Sequence, residues 1–196
     1  QHTRKNGVVK FDTDGALDDT FNDEGSWTGK DADTCTVRFD GTNFNENASV
    51  ETTTLEPLEL RMGQNVKDMN NTTMSEVLFI RSGDRAGIIT GIDPTDGSCK
   101  YFIELNTITE ARNIEVIDVS NETHLLVTGE DVAADTWWIE SYNLTNRDFD
   151  VRTLKQKGSK KLGNSGNSSI NGDNTRWYVT NKGGVFWWNL ETINGD

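Results

Sequence analysis

Basic residues are scarce in this chain. Nineteen Lys and Arg stand against 32 Asp and Glu, a formal net charge of −13 over 196 residues. That balance excludes duplex nucleic acid as a partner, because phosphate binding needs a cationic face that releases counterions. Long hydrophobic runs are missing too: no stretch approaches the roughly 20 apolar residues of a membrane-spanning helix, so no membrane insertion is expected. There are two cysteines, Cys35 and Cys99, too few for a disulfide scaffold but enough for one bridge. There are also two histidines, His2 and His124, and neither C-x-x-C nor H-E-x-x-H occurs, which removes the usual signals of a zinc site. The G-x-S-x-G of a serine hydrolase is absent. A phosphate loop is absent as well, since the Gly29-Lys30 pair is followed by Asp31. Helical periodicity is hard to find anywhere, and Met62 to Met74 reads as a loop.

What the chain does have is aromatic and β-branched material. Six Trp and eight Phe accompany many Val and Ile, more than a disordered chain carries. Three short apolar stretches resemble one another: Val77-Leu78-Phe79-Ile80, His124-Leu125-Leu126-Val127 and Trp177-Tyr178-Val179. Each precedes a turn-forming group, Arg81-Ser82-Gly83-Asp84, Thr128-Gly129-Glu130-Asp131 and Asn181-Lys182-Gly183-Gly184, suited to hairpin loops. A second strand then follows at the same phase: Ile88 to Ile92, Trp137 to Tyr142 and Val185 to Trp188. Polar second turns come next, at Asp93 to Gly97, Asn143 to Asp148 and Asn189 to Gly195. A further strand, Tyr101 to Leu105, recurs as Phe149 to Leu154, and Asn113 to Val119 would open the second unit.

The reading is all-β: four short strands per unit, repeated at about 50 residues, the period and strand count of a β-propeller blade. An all-β sandwich is the alternative, but it has no reason to keep the order of loop, strand and turn over three units. The units are 63–112, 113–163 and 164–196, with 1–62 a poorly phased amino-terminal part of one repeat region. Val8 to Gly15 resembles Thr90 to Gly97, as if the chain opens on a blade's third strand. Thr34 to Phe39, Val50 to Thr54 and Leu58 to Met62 are strand-like without a clear phase. A chain that opens late in one blade and stops before another's last strand is expected to be an incomplete propeller, an excised fragment, or a subunit whose ends neighbours hold.

Within this opening part, Asp14-Gly15-Ala16-Leu17-Asp18-Asp19-Thr20-Phe21 with Gly25 beyond it resembles the delta-60 repeat, whose signature is D-G-x-L-D-x-x-F followed by a Gly. The match spans about fifteen residues, 12–25, and occurs once. The second turns look similar to quinoprotein-type or WD-repeat blades, as in Trp188-Asn189-Leu190-Glu191-Thr192, although no blade ends its third strand in Trp-Asp. The resemblance implies a secreted or surface repeat protein and carries over no catalytic residue.

Several residues are candidates for chemistry or modification. Asp12, Asp14 and Asp18, with Asp19, form an oxygen-rich cluster that either coordinates calcium or makes an Asx-type turn around Asp14-Gly15; Gly15 follows the second Asp directly, whereas an EF-hand has a third acidic ligand before its Gly. Six Asn-x-Ser/Thr sequons occur, at Asn47, Asn70, Asn71, Asn121, Asn143 and Asn167. Chance gives about 3.6 for this content of Asn, Ser and Thr. They read either as glycosylation acceptors or as ordinary turn and strand residues. A Cys35–Cys99 bridge would tie the amino-terminal part to the first clear blade and agrees with the sequons; two free buried thiols are the alternative. The Trp137-Trp138 and Trp187-Trp188 pairs are core packing or, alternatively, sugar-stacking platforms, as is Trp27. Arg152, Lys155, Lys157, Lys160 and Lys161 make a cationic patch that would suit an acidic surface on another copy, or a solvated loop. Among 32 acidic residues no carboxylate pair can be singled out as hydrolytic.

Three function classes follow. The first is a non-catalytic extracellular structural or adhesion module, a self-assembling subunit of a surface filament or matrix, whose partners are other copies or a surface protein or glycan. The second is a carbohydrate-binding module. The third is a propeller fragment of a larger secreted enzyme with its catalytic residues elsewhere.

Overall fold

A computed structural model describes residues 7–21, 26–27, 35–46, 57–66, 76–82, 87–119, 122–134, 136–154, 165–173, 175–181 and 184–190. These form fifteen β-strands and, among the described residues, no α-helix. The all-β class read from the sequence is the class observed. Val50 to Thr54, most of Met62 to Met74, His2, and Lys155 to Lys161 lie outside the described residues. The chain divides into two compact units, Gln1–Glu104 and Leu105–Asp196.

In the first unit, β1 (Val8–Val9) pairs antiparallel with β2 (Ser26–Trp27). The remaining strands are β3 (Val37–Asp40), β4 (Phe44–Glu46), β5 (Pro57–Gln64), β6 (Glu76–Ser82), β7 (Ile88–Ile92) and β8 (Cys99–Glu104). They make a six-stranded sheet in the order β4-β3-β8-β7-β6-β5. Strands β5 to β8 form an antiparallel meander, so Leu58 to Met62, unphased in the sequence, belongs to its opening strand. β3 joins β8 in parallel, with Val37 opposite Tyr101. Cys35 and Cys99 each lie two residues before that pair, and they are disulfide-bonded across 64 residues of sequence. The bridge does tie the amino-terminal part to the first meander. Closing a loop of that size removes about 4 kcal/mol of unfolded-chain entropy in the loop-closure model.

One face of this sheet carries Phe79, Ile89, Tyr101, Ile103, Val37 and Phe39, all buried. The other carries Leu78, Ile80 and Ile92, against which Phe21 and Val8 pack. Lys10 helps hold that opening segment down, its Nζ 2.9 Å from Asp18 and donating to the Thr95 carbonyl at 3.0 Å.

The second unit holds two sheets. β9 (Glu110–Val119), β10 (Glu122–Asp131), β11 (Thr136–Asn143) and β12 (Asp148–Leu154) form a four-stranded antiparallel meander. β13 (Ser165–Ile170), β14 (Arg176–Asn181) and β15 (Gly184–Asn189) form a three-stranded one. Trp177 of β14 is fully buried among Ile117, Leu126 and Ile139 of the preceding sheet, with Leu190 and Ile170 beside it. The first strands of the two sheets are also linked, Ser168 Oγ donating to Glu115 Oε2 at 3.1 Å.

The second turns recur in geometry as well as in composition. Asp93 Oδ1 accepts from Thr95 N at 2.8 Å, and its carbonyl accepts from Gly97 N at 2.8 Å. Fifty positions on, Asn143 Oδ1 accepts from Thr145 N at 3.1 Å and its carbonyl from Arg147 N at 2.8 Å. The residue closing each turn has positive φ, 76° at Gly97 and 60° at Arg147.

Two details of phase differ from the sequence reading. Thr128 to Asp131 is not a hairpin loop: β10 runs through Asp131, and the turn follows at 132–134. Gly129 is there for a bulge. Between Thr128 and Gly129 the register to β9 slips, leaving Arg112 as the extra residue, and the backbones close until a Cβ on Gly129 would sit 2.3 Å from the Glu110 carbonyl. In the third unit, Arg176 faces Asn189 as His124 faces Asn143, so Arg176, and not Trp177, is the counterpart of His124. The two Trp pairs therefore lie on equivalent strands, β11 and β15, but not at equivalent positions along them.

Because that Cβ would meet backbone, Gly129→Ala is expected to lose about 2 kcal/mol or more. Gly172→Ala, where nothing lies within 4 Å, should stay within about 0.5 kcal/mol. Urea denaturation midpoints of the two variants test the difference.

Candidate functional site

The buried ionisable groups are the natural place to look for chemistry. Glu140 on β11 is fully buried. Its Oε1 accepts from the backbone amides of Thr107 at 2.6 Å and Ile108 at 2.8 Å; its Oε2 accepts from Asn106 N at 3.0 Å and from the Tyr142 hydroxyl. Tyr142 Oη also accepts from Asn106 N at 3.2 Å. Burial, reinforced by the Glu140 charge, pushes the Tyr142 phenol far above its ordinary range, so it stays protonated as a donor. Every carboxylate oxygen is thus committed to the segment that leads into β9, and the group acts as a clamp.

His124 is buried on the opposite face of the same sheet. Its Nδ1 lies 3.3 Å from Ser141 Oγ and its Nε2 3.6 Å from Glu122 Oε2. Burial lowers its pKa, against the opposing pull of Glu122. Glu122 is itself held by Asn143 Nδ2 at 2.7 Å and by Asn146 Nδ2.

The carboxylates of the opening segment are organised as turns. Asp12 Oδ1 accepts from Asp14 N at 2.9 Å and Ala16 N at 2.8 Å, and Gly15 has φ of 81°. Asp18 accepts from Thr20 Oγ1 and N; those hydrogen bonds and Lys10 hold it below the usual carboxylate range. Phe21, which ends the motif, is a core residue. Asp14 and Asp19 are exposed. Among the described residues, no three His, Cys, Asp or Glu side chains gather where a metal ion could sit.

Of the sequons, Asn47, Asn70, Asn71 and Asn121 lie outside the described residues, and Asn167 is placed on β13. Asn143 has both ends of its amide engaged: Nδ2 with Glu122, and Oδ1 with Thr145 N and Asn146 N. Trp27 and Trp137 lie on β2 and β11. Trp187 on β15 is half exposed, with the Arg176 guanidinium 4.8 Å from its ring centre. Its neighbour Val185 is exposed as well.

Sequence reasoning missed three features. Glu140 looked like one of many acidic residues, and only its place between Ile139 and Ser141 on a buried strand hinted otherwise. The exposed row Leu58, Leu60 and Met62 on β5 was signalled by its strict alternation with Glu59 and Arg61. The apolar Val185–Trp187 face of β15 gave no signal distinguishing it from core. Among the described residues, no helix is long and apolar enough to cross a membrane. No family model matches the chain, and the curated proteins contain no match.

Two outcomes are expected. Glu140→Ala strands the Thr107 and Ile108 amides and removes one of two acceptors of Asn106 N, and should cost about 3 kcal/mol or more, with Glu140→Gln, which keeps one acceptor, costing less. For His124, the folded state resists protonation more than the unfolded chain, so its stabilising effect is full above the unfolded value of 6.5 and fades as pH falls below it. The urea midpoint should therefore drop between pH 7.5 and 5.0, and His124→Gln should flatten that drop.

Proposed function

We propose that this chain is a non-catalytic extracellular structural or adhesion module built from propeller-like sheets stacked in series. The observation that carries the reading is the difference between inner and outer faces of the series. Leu126 and Ile139 are covered by Trp177 of the following sheet, whereas the corresponding positions of the last sheet, Tyr178 and Val185, lie partly or largely open. Open apolar sheet faces are surfaces for contact with other molecules. The disulfide favours an oxidising compartment, in keeping with a secreted protein carrying glycans on some of its sequons. The buried Glu140, Tyr142 and His124 are absorbed in holding the sheets.

A carbohydrate-binding module is the second reading, favoured by Trp187: an exposed indole already stacked with a guanidinium is a platform for a sugar ring.

The test is adhesion of the intact disulfide-bonded chain coupled to beads. Beads are expected to cluster or to be retained on surfaces coated with protein or glycan, and Trp187→Ala beads are expected to be retained several-fold less. Retention on glycan alone would favour the second reading. Failure to cluster or adhere to any surface would overturn the proposal.

A further inference from the structure

Proline is rare in this chain, two in 196 residues, and Pro94 stands where the fold has a use for an amide. In the second turns of the other two units, the residue after the strand's closing Asn donates its backbone N–H across the turn. Leu144 N donates to the Thr123 carbonyl at 2.9 Å, and Leu190 N to the Thr175 carbonyl at 2.8 Å. Pro94 has no hydrogen to give there. The first unit therefore forgoes a hydrogen bond that its siblings keep, and it does so directly after an aspartate.

Asp93-Pro94 joins a nucleophile to a leaving group. The Asp93 carboxylate reaches its own main-chain carbonyl carbon by closing a small ring, an intramolecular attack that needs no second molecule to collide. The nitrogen it would expel belongs to a tertiary amide and leaves as a basic secondary amine.

The turn holds the parts of that reaction in place. Asp93 Oδ1 accepts from Thr95 N at 2.8 Å, which turns the carboxylate toward the peptide that follows it, and Lys100 Nζ lies 3.7 Å from Oδ2. The Asp93 carbonyl oxygen, where negative charge gathers during attack, accepts from Gly97 N at 2.8 Å, the distance of an oxyanion donor. Asp93 N is itself fixed on the Ser98 carbonyl at 2.9 Å. Two further charged groups flank the turn: Asp96, whose Oδ1 accepts from Ser98 N at 2.8 Å, and Lys10, whose Nζ donates to the Thr95 carbonyl at 3.0 Å. Thr95 and Asp96 are exposed, so water reaches the turn, while Gly97 is buried.

We propose that the Asp93–Pro94 peptide bond is a self-cleavage site, opened by the Asp93 carboxylate. A carboxylate oxygen bonds to the Asp93 main-chain carbonyl carbon and the C–N bond breaks. Its electron pair goes to Pro94 N, which takes a proton from solvent. Asp93 is left as a cyclic anhydride, and one water opens it to two carboxyl groups. The net change is the addition of that water, with nothing oxidised or reduced. Cys35 falls in residues 1–93 and Cys99 in 94–196, so the disulfide keeps the two pieces joined. The product is a two-chain protein whose chains part only on reduction and unfolding.

The turn of the second unit supplies the controls. Asn143-Leu144 builds the same geometry, Asn143 Oδ1 on Thr145 N and its carbonyl on Arg147 N, with neither carboxylate nor proline. Asp93→Asn and Pro94→Leu thus install side chains that such a turn accepts.

The experiment is intact mass of the disulfide-bonded chain held at pH 7.5 and at pH 5.0, before and after reduction, with folding followed by circular dichroism. The unreduced chain should gain the mass of one water, and reduction should yield one piece ending at Asp93 and one beginning at Pro94. Cleavage should be faster at pH 5.0, because the departing nitrogen must take up a proton. Asp93→Asn and Pro94→Leu should each slow it at least about tenfold, and so should unfolding the wild type in urea, which takes Gly97 N from the carbonyl. Absence of cleavage at this bond overturns the proposal. Equal cleavage in urea, which would make it ordinary lability of the dipeptide, overturns it too, as does undiminished cleavage of either variant. Loss of cleavage on adding protease inhibitors would assign it to a contaminant and overturn it as well.

Discussion

A sheet apolar on both sides can be shielded from water only by neighbours on both sides. That requirement governs this molecule. Phe79 and Ile89 on one side of the first sheet, and Leu78, Ile80 and Ile92 on the other, leave no polar face to turn toward solvent. The second unit shows how the need is met, with a tryptophan of one sheet set into three aliphatic side chains of the sheet before it. Burying a side chain of that size is worth several kcal/mol by area, more than any exposed ion pair of this chain can contribute.

Apolar packing alone does not fix where each strand and turn begins, and buried polar groups do. Glu140 reaches from a central strand to three successive backbone amides of the segment entering β9, fixing where the four-stranded sheet begins relative to its own third strand. A buried acceptor with every lone-pair direction taken suits a dry interior, whereas one left half satisfied would not. The second turns act likewise at the other end of each hairpin. An Asx side chain holds the amide two residues on, and the backbone closes through a left-handed residue. The third unit keeps part of this device: Leu190 N donates to the Thr175 carbonyl as Leu144 N does to that of Thr123. Pro94, at the corresponding place in the first unit, has no amide hydrogen to give.

Much of this was legible in the sequence. Short apolar runs such as Val77 to Ile80 and His124 to Val127 are strands, and Asp93-Pro94-Thr95-Asp96-Gly97 is a turn, because local chemistry dictates both. The bridge between Cys35 and Cys99 was favoured over two free thiols because it agreed with the sequons, and it is present. Gly129 misled: a glycine followed by acidic residues suggests a loop, yet here it permits a close backbone approach inside a strand, a demand set by the neighbouring strand. The parallel union of β3 with β8 depends on residues far apart in sequence and leaves no periodic mark. Glu140 could not be told from ordinary strand residues, and the open row on β5 showed only as an alternation with Glu59 and Arg61 that does not say which side is covered, because burial belongs to the fold and not to the residue. The cluster from Asp12 to Asp19 could be read two ways, and its geometry is that of turns, with Phe21 as the anchor.

The disulfide at the mouth of the parallel pair has a mechanical corollary. If the two termini of the chain were pulled apart, force would enter at Cys35 and leave at Cys99 through a covalent link, bypassing everything between. The residues between them, over a sequence separation of 64, would carry no load. At about 3.4 Å per extended residue, roughly 200 Å of contour length is withheld from stretching. Reduction would release it, turning a short, stiff element into a long, compliant one.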